Sequence, residues 1–460
     1  MVFIPYYILI LFVTIGIDYY AGIKIEQVTG SRKKVYLIMS IVSTILVLAI
    51  FKYFNFLDVN IHTLAGFLHW NYQLSLLNII LPIGLSFHTF QSLSYVIEVY
   101  YGRQKAEKDF GIYSLYVMFF PQLVAGPIER PQNLLHQFYD KHYFDYDRVT
   151  AGLQRMGWGF FKKMLIADNL AIYVGQIYQN PSGYSSLTIL LATFFFTIQI
   201  YCDFSGYSDI AIGGAQVLGF KLMENFKNPY FSLSIPEFWS RWHISLSTWF
   251  RDYLYIPLGG NKVSFFRWGL NIILVFLVSG LWHGANWTFV IWGLIHGIYT
   301  VGYKIAEKLS SRIAGTFNRL TLYFVVLIKW FITFSFVSIA WIFFRASTVT
   351  SALYILKRTL LGFIDLTGAV LLSIIKINIE PVREIIRPLS QPLSSQMYLL
   401  GFFGLILVLI IAEIIDYHSN LITTIRRQKS WVQWTIYIIA ILCIMNLGVT
   451  RETPFIYFQF

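Results

Sequence analysis

The chain has 460 residues, of which 57% are hydrophobic types and only 13% are Asp, Glu, Lys or Arg. A soluble domain carries about twice that charged fraction. An ordinary cytosolic enzyme, a disordered chain and a secreted disulfide scaffold are therefore excluded, and an integral membrane protein remains.

The net charge of +12 comes from Lys and Arg in short clusters between apolar runs. Such clusters set membrane orientation and meet anionic headgroups, so they give no reason to expect a nucleic-acid partner. The first 22 residues are apolar, with no basic start and no small-residue cleavage site, and read as a spanning helix rather than a removable signal. In chain order the predicted spans are Val2–Gly22, Val35–Phe51, Leu74–Tyr95, Ile112–Ala125, Val149–Ile172, Leu187–Leu218, Trp268–Tyr303, Leu320–Phe344, Tyr398–Ile415 and Trp431–Val449. Trp268–Tyr303 runs for 36 residues without an acid, Lys or Arg. It is expected to be two helices, with the break at Ser279-Gly280. The count is ten to twelve helices, several of them short, tilted or re-entrant, in one membrane domain over 1–460.

Leu233–Leu254 mixes Trp239, Trp242, Trp249 and Phe250 with Arg241, Arg251 and Asp252. It reads as an amphipathic segment at the interface or folded into the protein. Leu353–Ile364 and Leu371–Leu389 are weaker candidates of the same kind. There is no internal repeat, which counts against an inverted-repeat transporter. Cys202 and Cys443 sit in apolar surroundings and read as small core residues. No metal-ligand spacing is present. Basic clusters after the first and third spans, through the centre, after Tyr303 and before the last helix are assigned to the cytoplasm. That choice sends the last helix, and the tail 450–460, to the outer face.

Polar groups inside a membrane are costly and are functional candidates by default. They concentrate between Asp203 and Trp287. His283 is the strongest, because an imidazole can take a proton from a hydroxyl near neutral pH and return it to a leaving group. Gly280 and Gly284 leave space beside it, and Trp282 and Trp287 offer apolar walls. A structural or gating histidine is the competing reading. His243 is either a second acid/base or orienting group, or an interfacial residue packed between Trp239 and Trp242. His296 and His88 read as structural or pore-lining. Asp203 and Asp209 suit a buried network with Arg241 or Arg251. The two arginines suit either the phosphates of an acyl donor or lipid headgroups.

Several segments carry a resemblance: Leu81-Pro82-Ile83-Gly84-Leu85-Ser86-Phe87, Phe119 to Ile128, Cys202 to Ser208, Asn228-Pro229-Tyr230, Pro236 to Tyr253, and Ser279 to Trp287. In this order, over roughly residues 80–300, the chain resembles the membrane-bound O-acyltransferases of the alginate O-acetyltransferase type. His88 departs from the pattern, which has an aromatic residue there. The resemblance implies an all-α ring of tilted and re-entrant helices around a funnel that thins the membrane. It implies His283, in Trp-His-Gly, as the catalytic histidine and His243, in Trp-His-Ile-Ser, as the second family histidine. Trp282, Asn286, Arg241, Arg251 and Asp203 are the candidate substrate-binding residues.

The implied activity is acetyl transfer from a cytoplasmic donor to a cell-surface or cell-wall polysaccharide, in a bacterial cytoplasmic membrane. Acetyl-CoA would serve as a substrate, with no tightly bound cofactor. A periplasmic esterase-fold (SGNH-type) acetyltransferase is the implied partner. The tail Pro454-Phe455-Ile456-Tyr457-Phe458-Gln459-Phe460 resembles family tails in which the tyrosine takes the acyl group. Tyr457 is accordingly a candidate acyl carrier, with an interfacial aromatic anchor as the alternative. D-alanyl transfer to teichoic acid, and a transporter or flippase with a histidine-lined pathway, remain the other readings.

Overall fold

Apolar runs bounded by Gly, Asn and basic residues become helices throughout, because a backbone surrounded by lipid must satisfy its own hydrogen bonds. The computed structural model describes residues 7–77, 84–123, 126–310, 319–376, 379–390, 396–449 and 455, and among these there is no β-strand. Nine of the described helices are long and apolar enough to cross a membrane.

The principal helices are α1 (Tyr7–Gln27), α2 (Ser31–Phe67), α3 (Leu85–Tyr100), α4 (Phe110–Met118), α5 (146–179), α6 (Ser186–Leu218), α7 (Ile235–Arg241), α8 (Ile244–Phe250), α9 (Phe265–His283), α10 (Trp287–Ser310), α11 (Arg319–Arg345), α12 (Val349–Lys376), α13 (Gln396–Ser419) and α14 (Ser430–Leu447), with a few shorter helical turns between them. They cluster into two compact units. One is Met1–Met156 with Ile210–Glu224, and the other is Gly157–Asp209 with Asn225–Phe460.

In the first unit a buried carboxylate ties three helices together. Asp18 of α1 accepts hydrogen bonds from Ser40 of α2 and Ser92 of α3. His88 lies buried one turn before Ser92. Glu129, fully buried, accepts the backbone N–H of Met223 at 2.5 Å.

In the second unit α6 is the central element. In its most apolar window 83% of residues are buried, against none for α14. A helix apolar on every side belongs inside the protein, so the polar groups of this part of α6 face protein rather than lipid. Gly206 allows the closest approach to α5: a Cβ there would sit 2.8 Å from the Gly159 carbonyl oxygen.

Several predicted elements shift. Trp268–Tyr303 is two helices, but the break falls after His283, not at Ser279-Gly280. Gly280 instead lets α9 and α10 touch, because a Cβ there would collide with the Phe289 carbonyl, as one at Gly293 would with that of Phe276. Small residues at a helix interface are how membrane helices pack closely. The break is made by Gly284, which is extended, and by Asn286, whose side-chain oxygen accepts the Thr288 N–H at 3.0 Å.

Leu353–Ile364 is not a separate segment; it lies with residues 371–376 in the single 28-residue helix α12, one of the nine long apolar helices, and Glu380–Ile386 forms a short helix of its own. Val149–Ile172 lies in α5, which is too polar to rank among the nine and contains a π-type stretch, Phe161–Ala167. Ile112–Ala125 holds only the nine-residue α4 and a four-residue turn, with 124–125 outside the described residues. In Leu74–Tyr95 residues 74–77 are not helical, 78–83 lie outside the described residues and a helix runs from Leu85, while Val35–Phe51 continues as helix to Phe67. Cys202 is buried as expected, whereas Cys443 is partly exposed.

Candidate active site: a buried histidine pair

Between Glu224 and Phe265 the chain cannot span as one helix, because prolines, glycines and charges interrupt it. It forms two short helices instead. α7 starts at Ser234, whose hydroxyl accepts the Glu237 N–H at 3.2 Å, with Pro236 in the first turn. α8 comes after Trp242 and His243. His243 joins the two helices in a left-handed conformation, φ 43° and ψ 53°, which is disfavoured by about 1–2 kcal/mol for a residue with a Cβ.

Asn225, itself fully buried, holds that conformation. Its carbonyl accepts the Ile244 N–H at 2.9 Å, its side-chain oxygen accepts the Ser245 hydroxyl at 2.9 Å, and its amide donates to Ser208 at 3.2 Å. The Lys227 N–H donating to the Arg241 carbonyl at 3.0 Å closes the same turn from its other side.

The result is that His243 faces His283. His283 is the last residue of α9, and the two ring centroids are 6.4 Å apart. His243 is 0% exposed and His283 5% exposed. Trp282 lies 4.9 Å from His283 and 6.4 Å from His243. Trp292 and Phe344 close the far side of His283 at 5.0 and 5.4 Å. Phe204 of α6 packs edge-on to His243 at 4.5 Å. Burial favours the neutral imidazole and pulls the pKa of His243 down to about 3. Two imidazoles in an apolar, aromatic enclosure can exchange protons with a hydroxyl or a thiolate, and their walls keep bulk water away. His296 lies apart, its Nδ1 accepting the Trp239 indole N–H at 3.3 Å.

The remaining predicted residues have other surroundings. Asn286 caps α10 and donates to the Ser347 carbonyl at 3.0 Å. Arg241 pairs with Glu237 at 2.7 Å and lies over the Tyr417 ring. Arg251 pairs with Asp252 at 2.8 Å and has 59% of its side chain exposed. Asp203 and Asp209 are in ion pairs, but with neither arginine. Lys163 binds Asp203 and Asp168, each at 2.7 Å, and Lys162 binds Asp209 at 2.6 Å. Tyr457 lies outside the described residues.

Sequence reasoning gave no role to four contributors. Lys162 and Lys163 were visible as two cations inside a predicted span, which demands buried partners. Asn225 gave no signal, because its role is to hold a turn that only the fold reveals. Phe455, from the C-terminal tail, is 1% exposed and lies 4.3 Å from the Tyr207 ring and 5.7 Å from Phe204.

A multi-pass, all-helical membrane protein with two histidines enclosed where a helix hairpin turns is the class that this fold and site define. The chain belongs to the membrane-bound O-acyltransferase family, whose sequence profile matches residues 39–345, and it is an O-acyltransferase. The match is wider than the motif-bearing stretch at 80–300, and it sets the transporter reading aside.

The chain is 32% identical to the peptidoglycan O-acetyltransferase of Helicobacter pylori, over 99% of this chain and 88% of that protein. It is 41% identical to the probable alginate O-acetylase of Pseudomonas aeruginosa, over 73% of this chain and 62% of that protein's length. It is 28% identical to the teichoic acid D-alanyltransferase of Bacillus subtilis, over 51% of this chain and 62% of that protein.

Proposed function

We propose that this chain moves an acetyl group from a cytoplasmic thioester, acetyl-CoA, to hydroxyls of a cell-surface or cell-wall polysaccharide across a bacterial cytoplasmic membrane. The observation that carries the reading is the enclosed meeting of His243 and His283. It is supported by a relative named as an O-acetyltransferase that aligns over 99% of the chain.

His283 acts as the general base. It takes the proton of the attacking hydroxyl as that oxygen bonds to the thioester carbonyl carbon. The tetrahedral intermediate collapses, the C–S bond breaks, and the proton passes to the departing thiolate. His243 donates to, or orients, the same centre, and Trp282 walls it. The exposed guanidinium of Arg251 suits the donor's phosphates. Arg241, Asn286 and Asp203 have partners within the protein and are assigned to support.

The first acceptor on this reading is Tyr457. Its tether raises its local concentration, and His283 compensates for a phenol pKa near 10, which is too high for attack unaided. The aryl ester then yields its acetyl group to a polysaccharide hydroxyl, directly or through an SGNH-type partner outside the membrane, and the phenol regains its proton.

The test is covalent labelling of detergent-purified protein with radiolabelled acetyl-CoA. Label in wild type that is lost in both His283→Ala and Tyr457→Phe supports the relay. Label kept in Tyr457→Phe but lost in His283→Ala sinks the relay and keeps the transferase. Label only from an aminoacyl carrier protein would transfer the reading to D-alanylation, the chemistry named for the Bacillus relative.

A further inference from the structure

Two described points of the C-terminal segment are held against the protein, the end of α14 and Phe455, and Phe455 is one ring, Phe204, away from His243. Where α14 ends, the Leu447 carbonyl accepts the Asn169 side-chain amide at 2.9 Å, and the Val449 N–H donates to the Met164 carbonyl at 3.4 Å. Both partners belong to the π-type stretch of α5 or the residues just after it. In a regular α-helix every interior carbonyl is engaged by the N–H four residues on. A π-type stretch shifts that pattern, and it occurs often at functional sites.

Farther along, Phe455 is buried to 1% exposure against Tyr207. Tyr207 is not a loose wall. Lys163 lies beneath its ring, with Nζ 5.8 Å from the centroid, while the same ammonium is bound by Asp203 and Asp168. Phe204, the residue after Asp203, touches both Phe455 and His243. One turn of α6 therefore presents an aromatic face fixed from behind by a buried ion-pair cluster.

We propose that Phe204 and Tyr207 form a dedicated seat for the chain's own C-terminal tail, and that Phe455 is the anchor residue that docks it beside His243. A buried aromatic ring packed on another adds to the stabilisation from area burial alone, which biases a short tether without locking it. The chain can carry a residue two positions past Phe455 no farther than about 7 Å in backbone distance, so the anchor limits how far Tyr457 can reach from the seat. That the tail delivers an acyl group rests on the relay proposed for Tyr457; the seat does not.

The test separates the two. A photoreactive benzoylphenylalanine replaces Phe455 in the full-length protein in detergent, and its crosslinks are mapped by mass spectrometry. The expected product joins residue 455 to the α6 peptide containing Phe204 and Tyr207, and it falls at least fivefold in Tyr207→Ala. In parallel, Phe455→Ala is expected to slow acetyl labelling at least tenfold, with an unchanged KM for acetyl-CoA and partial recovery in Phe455→Trp. An unchanged elution profile in detergent checks the fold. Crosslinks that avoid α6 overturn the seat. Labelling of Phe455→Ala within twofold of wild type overturns the anchor. If Tyr457→Phe keeps its label while the α6 crosslink persists, the relay fails and the seat stands.

Discussion

The imidazoles of His243 and His283 face each other at 6.4 Å between ring centroids, although 40 positions separate them in the chain. One sits at a left-handed junction between two short helices and the other at the end of a long one. If His283 is the general base, His283→Ala should lower the acyl-transfer rate by about 10²–10⁴-fold, the usual contribution of a positioned acid or base. The check is the initial rate of label transfer, with thermal melting in detergent to confirm the fold. A loss under tenfold would remove His283 from the chemistry.

The burial of His243 makes stability pH-dependent with a defined sign. Its folded pKa lies near 3, below the ordinary value of about 6.5. Between these values the unfolded chain binds more protons, so stability is full above about pH 6.5 and is lost progressively as the pH falls toward 3. The slope approaches about 1.4 kcal/mol per pH unit within that window. Melting temperatures measured from pH 7.5 to 5 should fall in wild type and fall less steeply in His243→Gln. Parallel curves would show that another group carries the dependence.

The buried Lys162 pairs with the partly buried Asp209 at 2.6 Å. Removing the ammonium takes a charge partner away from the Asp209 carboxylate, so Lys162→Met should destabilise by about 3–5 kcal/mol. Adding Asp209→Leu should recover much of that loss, because replacing both charges removes the desolvated carboxylate as well. A double-mutant cycle on melting in detergent reads the coupling. Simple additivity would mean that the pair is not coupled.

Gly280 has no room for a side chain, because the Phe289 carbonyl occupies the place of its Cβ. Gly280→Ala should push α9 from α10 and destabilise by about 1–3 kcal/mol, the range for overpacking. It should also reduce transfer, since His283 lies three residues on. Wild-type melting in this variant would show that the hairpin is looser than described.

Much of the architecture was legible from composition and spacing. An apolar run of about 20 residues must become a helix in lipid whatever its neighbours are. That is why α6 was predicted within one residue at its start and to the residue at its end, and why His283 stood out as an imidazole in an otherwise apolar run. The hairpin break was misread because glycine serves both helix breaking and helix contact. At Gly280 only the position of α10 decides between them. The merging of Leu353–Ile364 and the first residues of Leu371–Leu389 into α12 has the same origin, since helix polarity is judged against neighbours that a linear sequence does not display.

The sequence by itself determined that the protein lies in the membrane, that it is helical, and which residues could carry acid–base chemistry. Those properties depend on local composition and on chemical type. Tertiary structure alone decided the pairings: His243 with His283, Asp203 with Lys163 rather than an arginine, and Phe455 with Tyr207. Buried charges and rings take whichever partner the packing brings within a few ångströms, and that distance is a property of the folded chain.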